Sequence, residues 1–559
     1  MDVETTPHEG CNLSEYFAIS QLARQWGIAP RHISDLFYAR RLDDTVDVRG
    51  SIAIIGGGAA GITLALELAE HFKDVLVLES GAIDLEKETQ DLYGGKLLGH
   101  YQPDLRASRL RFLGGSTNHW GGQCPKLDPI DFERLPDRPY SGWPVGYATL
   151  APYYDRAYRY CEIEAPNLPD PDAVTSRLLE GSEFQLTEFP FSPPTRFGAH
   201  YRSQLSSSDR IKVYLNANVT DIITNDSKRA TSSLDVRTLN GRRLKVAATA
   251  YVLCCGAIEN ARILLNCTRE FANGLGNRHD LVGRFFMDHL YTTAGVIVPQ
   301  IEMYNLGALD QHNGARRDRG GLMNAAETVR QPDRRGCSLL LYPLHIVDEA
   351  FVQAQSPAYQ AFYRLMQYAK HGSLAPDFAK HGCTALEEPQ AIARVLYDRL
   401  RTRFRPPAVK SIDVWMEGEQ SPNPASRVTL CDEVDALGMR RAVLDWQIDP
   451  IDGSNLYQTA MELARSVGAA GLGRMFVNLE RGDELSAVET CFHHMGTTRM
   501  HDDPRQGVVD RHCAVHGLSN FYIAGSSVFP TCGRANPTLT IVALAIRLAD
   551  HLKLTVKSS

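Results

Sequence analysis

Residues 52–79 run from an apolar stretch, Ile52-Ala53-Ile54-Ile55, through Gly56-Gly57-Gly58-Ala59-Ala60-Gly61, to apolar positions Ile62, Leu64, Leu68 and Ala69. Val75-Leu76-Val77-Leu78 and Glu79 follow. This pattern predicts a strand, a glycine turn, a helix and a second parallel strand, a βαβ unit that commits the chain to an α/β fold. A pyrophosphate needs backbone N–H groups at a helix start with no side chain in the way, which is why Gly56, Gly58 and Gly61 belong where strand becomes helix. Glu79 closes the second strand 23 residues after Gly56, where a carboxylate can accept from both hydroxyls of a ribose. The segment is therefore expected to hold a dinucleotide, and on its own it does not separate FAD from NAD.

At 559 residues the chain has room for two or three domains. A formal charge of -7, with both signs mixed along the chain, carries no footprint for nucleic acid or an anionic membrane, so a small neutral partner is the expectation. The 12 cysteines include no CxxC pair, and Cys254-Cys255 lie in an apolar run, which suits reduced thiols and a cytoplasmic location. The opening Met1-Asp2-Val3-Glu4 has no basic and apolar leader, and no apolar run reaches the roughly 18 residues of a membrane span. From Tyr16 to Leu42, Leu22, Ala23, Ile28, Ile33, Leu36 and Phe37 recur at helical spacing around Gly27, resembling a helix-turn-helix of the excisionase or MerR type. DNA contact near Arg31 and His32 is opposed by Asp35, Asp43, Asp44 and Asp47, and a helical cap on the main body is the competing reading.

The expected architecture is a Rossmann-like cofactor domain from 49–150, 205–295 and 483–559. A mostly antiparallel-sheet substrate domain takes 151–204 and 296–482, and a helical appendage takes 1–48. Strands are predicted at Val213–Leu215, Val219–Ile223, Ala250–Leu253, Ser411–Trp415 and Arg427–Leu430.

The segment Arg111-Phe112-Leu113-Gly114-Gly115-Ser116-Thr117-Asn118-His119-Trp120-Gly121-Gly122 brackets polar residues with two glycine pairs, so its backbone can lie against a flat ring. Here the chain resembles the glucose-methanol-choline (GMC) family of FAD oxidoreductases. Its pyranose 2-oxidase branch has a similar Gly-x-x-x-His-Trp, whose histidine bonds covalently to the flavin; Gly115 and His119-Trp120 share that spacing. This chain departs at Asn118, with Ser116-Thr117 shifted by one, so the resemblance leaves two readings of His119: a covalent link, or a hydrogen bond near the flavin. Cys255-Gly256-Ala257-Ile258-Glu259-Asn260 and Val282-Gly283-Arg284-Phe285-Phe286-Met287-Asp288-His289 extend the likeness. Pro422-Asn423-Pro424-Ala425-Ser426-Arg427-Val428 resembles the cholesterol oxidase and bacterial sugar oxidase branches. The resemblance implies FAD contacts at Gly114, Gly115, Asn118, at Val219 near the adenine, and at Gly525.

Oxidation of an alcohol by hydride transfer needs a base at the hydroxyl, and histidine, with an unperturbed pKa of about 6.5, suits it. In the family motif the histidine stands three residues before the glycine of Gly-Thr, which implies His493 ahead of Gly496-Thr497. His494 is expected to face elsewhere. Asn536 opens Asn536-Pro537-Thr538 before a helix with apolar positions Ile541, Leu544, Ala545, Leu548 and Leu552. That helix start aims partial positive charge from Pro537 and Thr538 at the place where a reduced flavin gathers negative charge. The family pairs this asparagine with the histidine across the substrate hydroxyl; the alternative is a helix cap. His493, His494, His501, His512 and His516 lack metal-ligand spacing, and no metal is expected. The leading expectation is an FAD-dependent oxidoreductase acting on a sugar-like or polycyclic CH–OH group, reoxidised by oxygen or another acceptor. The alternatives are a non-redox flavin-containing lyase of the same family and a flavin-dependent DNA-binding regulator.

Overall fold

The strands flanking the glycine turn lie at the centre of a larger sheet in the computed structural model, which describes residues 36–43, 45–101, 103–164, 170–309, 319–345, 356–370, 378–404 and 408–557. The sheet order is Leu36–Tyr38, Ile211–Leu215, Val75–Leu78, Thr45–Ile55, Arg243–Leu253, Thr231–Arg237 and Asn218–Thr224, with Phe521–Ile523 also pairing against Arg243–Leu253. The first five in that order, together with Phe521–Ile523, pair in parallel, and the last two turn antiparallel. Strands buried on both faces need continuous apolar runs, and Ile52–Ile55, Val75–Leu78 and Ala250–Leu253 are essentially inaccessible to solvent. Helix Ala59–Ala69 packs on this sheet, and helix Thr538–Thr555 packs in turn on it and on helix Tyr147–Tyr160. Leu539, Val542, Ala543, Ala545, Ile546, Leu548, Ala549 and Leu552 supply its buried side.

A second sheet is antiparallel throughout, in the order Gly473–Val477, Leu290–Pro299, Val409–Gly418, Cys337–His345, Arg319–Asn324 and Phe184–Phe189; Glu489–Thr490 pairs with Leu290–Pro299. A small third sheet joins the hairpin of Arg427–Val434 and Arg440–Trp446 to Lys96–Gly99. The fold class is therefore mixed α/β, with a parallel cofactor-type sheet and an antiparallel second sheet.

The N-terminal reading needs correction where residues are described. Leu36 and Phe37 sit in a strand, not a helix: Leu36-Phe37-Tyr38 pairs in parallel with Val213-Tyr214-Leu215, and the ring of Phe37 stacks on Tyr214 at 5.3 Å. A three-residue apolar run fits either period, and an open sheet edge decided it. The strand leading into the glycine turn also begins at Thr45, so residues 36–38 and 45–48 belong to the sheet. The predicted helical pair and its DNA-facing Arg31 and His32 lie outside the described residues. The strand Leu290–Pro299 crosses the boundary placed at residue 295.

Candidate active site

Every parallel strand in the middle of the first sheet ends at one cavity of about 580 Å³, as expected for ligands at the carboxyl ends of an open α/β sheet. Ile55 leads into Gly56-Gly57-Gly58, Leu78 into Glu79, Leu253 into Cys254-Cys255-Gly256, and Ile523 into Gly525-Ser526, all lining that space. Gly61 does not line it; a Cβ there would stand 1.9 Å from the Gly56 carbonyl oxygen, so its role is to let the helix press against the turn. The helix Ala59–Ala69 starts without a side-chain cap, which leaves its first amides directed at the cavity. Glu79 accepts N–H bonds from Gly57 (2.8 Å) and Gly81 (2.7 Å), bracing the turn while its remaining lone pairs face the cavity beside Ala217 and Val219.

A buried ionic cluster stands on the same wall. Glu259 pairs with Arg111 (3.0 Å), Arg262 (2.8 Å) and Arg109 (3.6 Å), and Arg262 with Asp435 at 2.5 Å. Burial pushes Glu259 up, yet Arg262, Arg111 and Arg109 together hold it at about 2. Three guanidiniums against two carboxylates leave one positive charge in excess, and Arg109 and Arg111 line the cavity. These uncapped amides, the excess cation and the glycine cradle fit the pyrophosphate of a flavin dinucleotide.

The segment Arg111–Gly122 folds over the cavity. Gly115, Ser116, Thr117, His119, Trp120, Gly121 and Gly122 line it; Gly114 and Asn118 do not. Gly114 donates its N–H to Gly57 O (2.8 Å), and the Asn118 amide donates to Leu113 O (3.1 Å) and Gly115 O (2.9 Å), so both act as clips within the loop. Arg196 donates to the carbonyls of Thr117 and Trp120 on either side of His119. Burial first, and Arg196 second, lower His119 to about 4, so its ring is neutral.

His493 reaches the same cavity from the C-terminal segment. Its Nε2 lies 3.3 Å from Asn536 Nδ2, and its Nδ1 lies 2.8 Å from His289 Nδ1. Asp288 accepts N–H bonds from His289 (2.8 Å) and His493 (2.9 Å), and Thr490 Oγ1 donates to its other oxygen. Burial, then His289 and His494, drive His493 well below the usual histidine range, leaving a neutral imidazole. His494 is nine-tenths buried and bonds Tyr101 OH at 3.0 Å, but it lines the cavity as well. Asn536 does not cap the following helix: Pro537 holds the cap position, no side chain caps it, and Asn536 Oδ1 has no partner among the described residues. Pro537, Thr538 and Gly525 line the cavity too.

Three residues given no role from sequence join this centre. They are His289, Asp288 and Glu417, the last a strand residue whose Oε2 has no partner among the described residues. His289 and Asp288 lie in a segment quoted only for family likeness, and nothing local in the sequence marks Glu417. His289, Glu417 and His493 each present an atom within 4.8 Å of the others, a spacing that would admit a metal ion. The two imidazoles of this group also meet each other, Nδ1 to Nδ1, at 2.8 Å. His516 instead bonds the carbonyl of His501, and His512 stacks on His551.

Comparison with known proteins agrees with this geometry. A family model described as GMC oxidoreductase matches residues 422–545, and one described as FAD dependent oxidoreductase matches residues 51–268. The chain is 24% identical to the 2-methyl-1,2-propanediol dehydrogenase of Mycolicibacterium austroafricanum, over 90% of this chain and 94% of that protein. It is 26% identical to the paromamine 6'-oxidase of Streptomyces fradiae, over 89% and 90% of the two chains. Its fold resembles pyridoxine 4-oxidase from Mesorbium loti (TM-score 0.52, 16% identity, 90% of this chain and 99% of that one). It resembles a formate oxidase similarly (TM-score 0.53, 17% identity, 91% and 99%). The FAD match falls on the strands and turns that build the cradle and the GMC match on the segment carrying His493 and Asn536, so the chain carries an FAD-dependent oxidoreductase domain and a GMC oxidoreductase C-terminal domain.

Proposed function

We propose that this enzyme oxidises the CH–OH group of a small alcohol or sugar-like substrate, with His493 as the base and Asn536 as the hydroxyl's anchor. Bound FAD supplies the hydride acceptor at its N5. The carbon of an alkoxide gives up hydride far more readily than that of a neutral alcohol, so the protein's task is to take the hydroxyl proton as hydride leaves. A neutral His493 with Nε2 toward the cavity does this, and the Asn536 amide holds the oxygen without competing for the proton. The observation that carries the reading is the 3.3 Å pairing of His493 Nε2 with Asn536 Nδ2 inside the cavity lined by the glycine cradle. Whole-length relatives named for a diol and an aminosugar derivative support the substrate class.

The test is anaerobic stopped-flow bleaching of the flavin by a panel of sugars, aminosugars, sterols and simple alcohols. At least one alcohol should bleach the wild-type flavin, whereas a lyase would keep its colour with all of them. His493→Ala should slow bleaching by about 2 to 4 powers of ten with FAD still bound. Unchanged bleaching would remove His493 as the base. Oxygen uptake in the same assay separates an oxidase from a dehydrogenase.

Finer readings follow from the same site. His119 lines the cavity as a neutral ring and is the candidate for covalent flavin attachment; acid precipitation should leave flavin on wild type and release it from His119→Ala. The first sheet with its turns forms the cofactor unit, which takes in Leu36–Tyr38 and Thr45–Val48 besides 49–150, 205–289 and 483–559, and the second sheet forms the substrate unit over 151–204 and 290–482. The free, buried thiols of Cys124, Cys254, Cys267, Cys337, Cys513 and Cys532 support a cytoplasmic location.

A further inference from the structure

The geometry points to His289 as the positioning residue that fixes the tautomer of His493, so that the bare, proton-accepting nitrogen faces the substrate; this rests on His493 being the base. A neutral imidazole carries one proton on two nitrogens, and which one holds it is set by the bond the other makes. The chain of bonds here has one consistent solution. Gly533 O, 3.0 Å from His289 Nε2, can only accept, so His289 Nε2 carries the proton. His289 Nδ1 is then bare. It lies 2.8 Å from His493 Nδ1, and a contact that short needs a hydrogen between the nitrogens. His493 Nδ1 must supply it, which leaves His493 Nε2 bare toward Asn536 and the cavity. The Asn536 amide, as donor to Nε2, agrees with this assignment.

Each link is held by structure remote in sequence. Asp288 accepts both backbone N–H groups, of His289 and of His493, and so sets how far apart the two rings start. The rings meet edge to face, with centroids 5.0 Å apart and planes at 85°. Gly533 has φ +59, and a Cβ there would stand 2.6 Å from Leu127 Cδ2, so only glycine fits the position whose carbonyl meets His289. His289 is fully buried and held neutral by that burial, its pKa lowered to about 4, so it keeps an acceptor at Nδ1 across the working range. When His493 takes the substrate proton on Nε2, its Nδ1–H bond to His289 persists, and the imidazolium forms without rearrangement.

Two substitutions separate this role from simple packing. His289→Leu removes the acceptor, and His289→Asn places an amide oxygen near the position of Nδ1. In the flavin-loaded enzyme, flavin reduction by a bleaching alcohol should fall about 10- to 100-fold in His289→Leu, the loss typical of removing a group that orients a reactive one. It should return to within a few-fold of wild type in His289→Asn. Equal losses in both variants, or an unchanged rate in His289→Leu, would overturn the assignment. Histidine-selective nitrogen-15 spectra of wild type, with His493 assigned by its absence in His493→Ala, give a reading that does not depend on any His289 variant folding. A proton on Nδ1 is expected, and a proton on Nε2 would sink the proposal. If His493→Ala bleaches normally, the base assignment itself fails; if it does not and His289→Leu is unimpaired, only the tautomer assignment fails.

Discussion

The strength of His493 as a base depends on charges within a few ångströms of it, and two carboxyls there change near neutral pH: Asp288, which accepts the His493 backbone N–H, and Glu417, both pushed up to about 7 chiefly by burial. Burial first, and Asp288 second, push Glu417 up to about 7, with the nearby Asn536 side chain opposing the rise. As pH rises through that value the group becomes a carboxylate beside the imidazole, and a neighbouring negative charge makes an imidazole a better proton acceptor. Flavin reduction should therefore climb through about pH 7, above a separate acid limb where His493 itself is protonated. Because His493 is held well below its ordinary value, that limb lies below pH 6.5. Glu417→Gln should diminish the upper step, leaving the share due to Asp288, and keep the acid limb in stopped-flow traces from pH 5 to 9; superimposable profiles would remove Glu417 from this role. The same shift carries a stability consequence with a fixed sign. A carboxyl whose folded pKa is raised from 4.5 contributes stability below that value and loses it as pH rises through about 7. Glu417→Gln should therefore melt above wild type at pH 8 and level with it at pH 4.

At the scale of elements, the glycine turn is where one atom decides the most. Gly61→Ala would place a methyl 1.9 Å from the Gly56 carbonyl oxygen, against backbone that cannot swing aside. Overpacking of this kind typically costs about 1–3 kcal/mol, and here it would pry the helix Ala59–Ala69 from the turn whose amides the cofactor needs. Gly61→Ala should be purified with much less flavin than wild type, judged by the ratio of visible to protein absorbance; full flavin content would show the turn to be more compliant than its packing suggests. This turn was legible in sequence because its signal is local: strand period, glycines, helix period and Glu79 all fall within thirty residues. Leu36-Phe37-Tyr38 was not legible, since three apolar residues satisfy either period and their partner strand, Ile211–Leu215, lies far along the chain. Deleting residues 1–44 should lower the melting temperature below that of a chain lacking only 1–35, because the longer deletion also removes an edge strand and the fully buried Ala39. Equal melting temperatures would mean that the edge pairing contributes nothing.

Over the whole molecule, the cavity joins segments far apart in sequence: Gly56–Ala60, Gly115–Thr117 with His119–Gly122, Cys254–Ala257, Cys491–His494, Gly525–Ser526 and Asn536–Thr538. Sequence motifs located most of these pieces, and the family resemblance implied that His493 and Asn536 work together. What motifs could not supply was the cross-bracing: the carbonyl that orients His289 comes from Gly533, 244 residues away, and Asp288 ties to His493 across 205. Pairings of that separation leave no periodic trace, because each partner's local pattern is set by its own strand or loop. A cofactor seated among these segments therefore acts as their common crosslink. A ligand that binds only the folded state at roughly a thousand times its Kd stabilises that state by about 4 kcal/mol. Removing FAD should accordingly lower the melting temperature and raise amide exchange together at Gly56–Ala60, Gly115–Gly122 and Gly525–Thr538. The Arg427–Val434 and Arg440–Trp446 hairpin, which does not line the cavity, should keep its protection. Exchange that rises at the N-terminal glycines alone would mean that the C-terminal segment is anchored by protein contacts and not by the flavin, and His493 would then be as ordered before the cofactor binds as after.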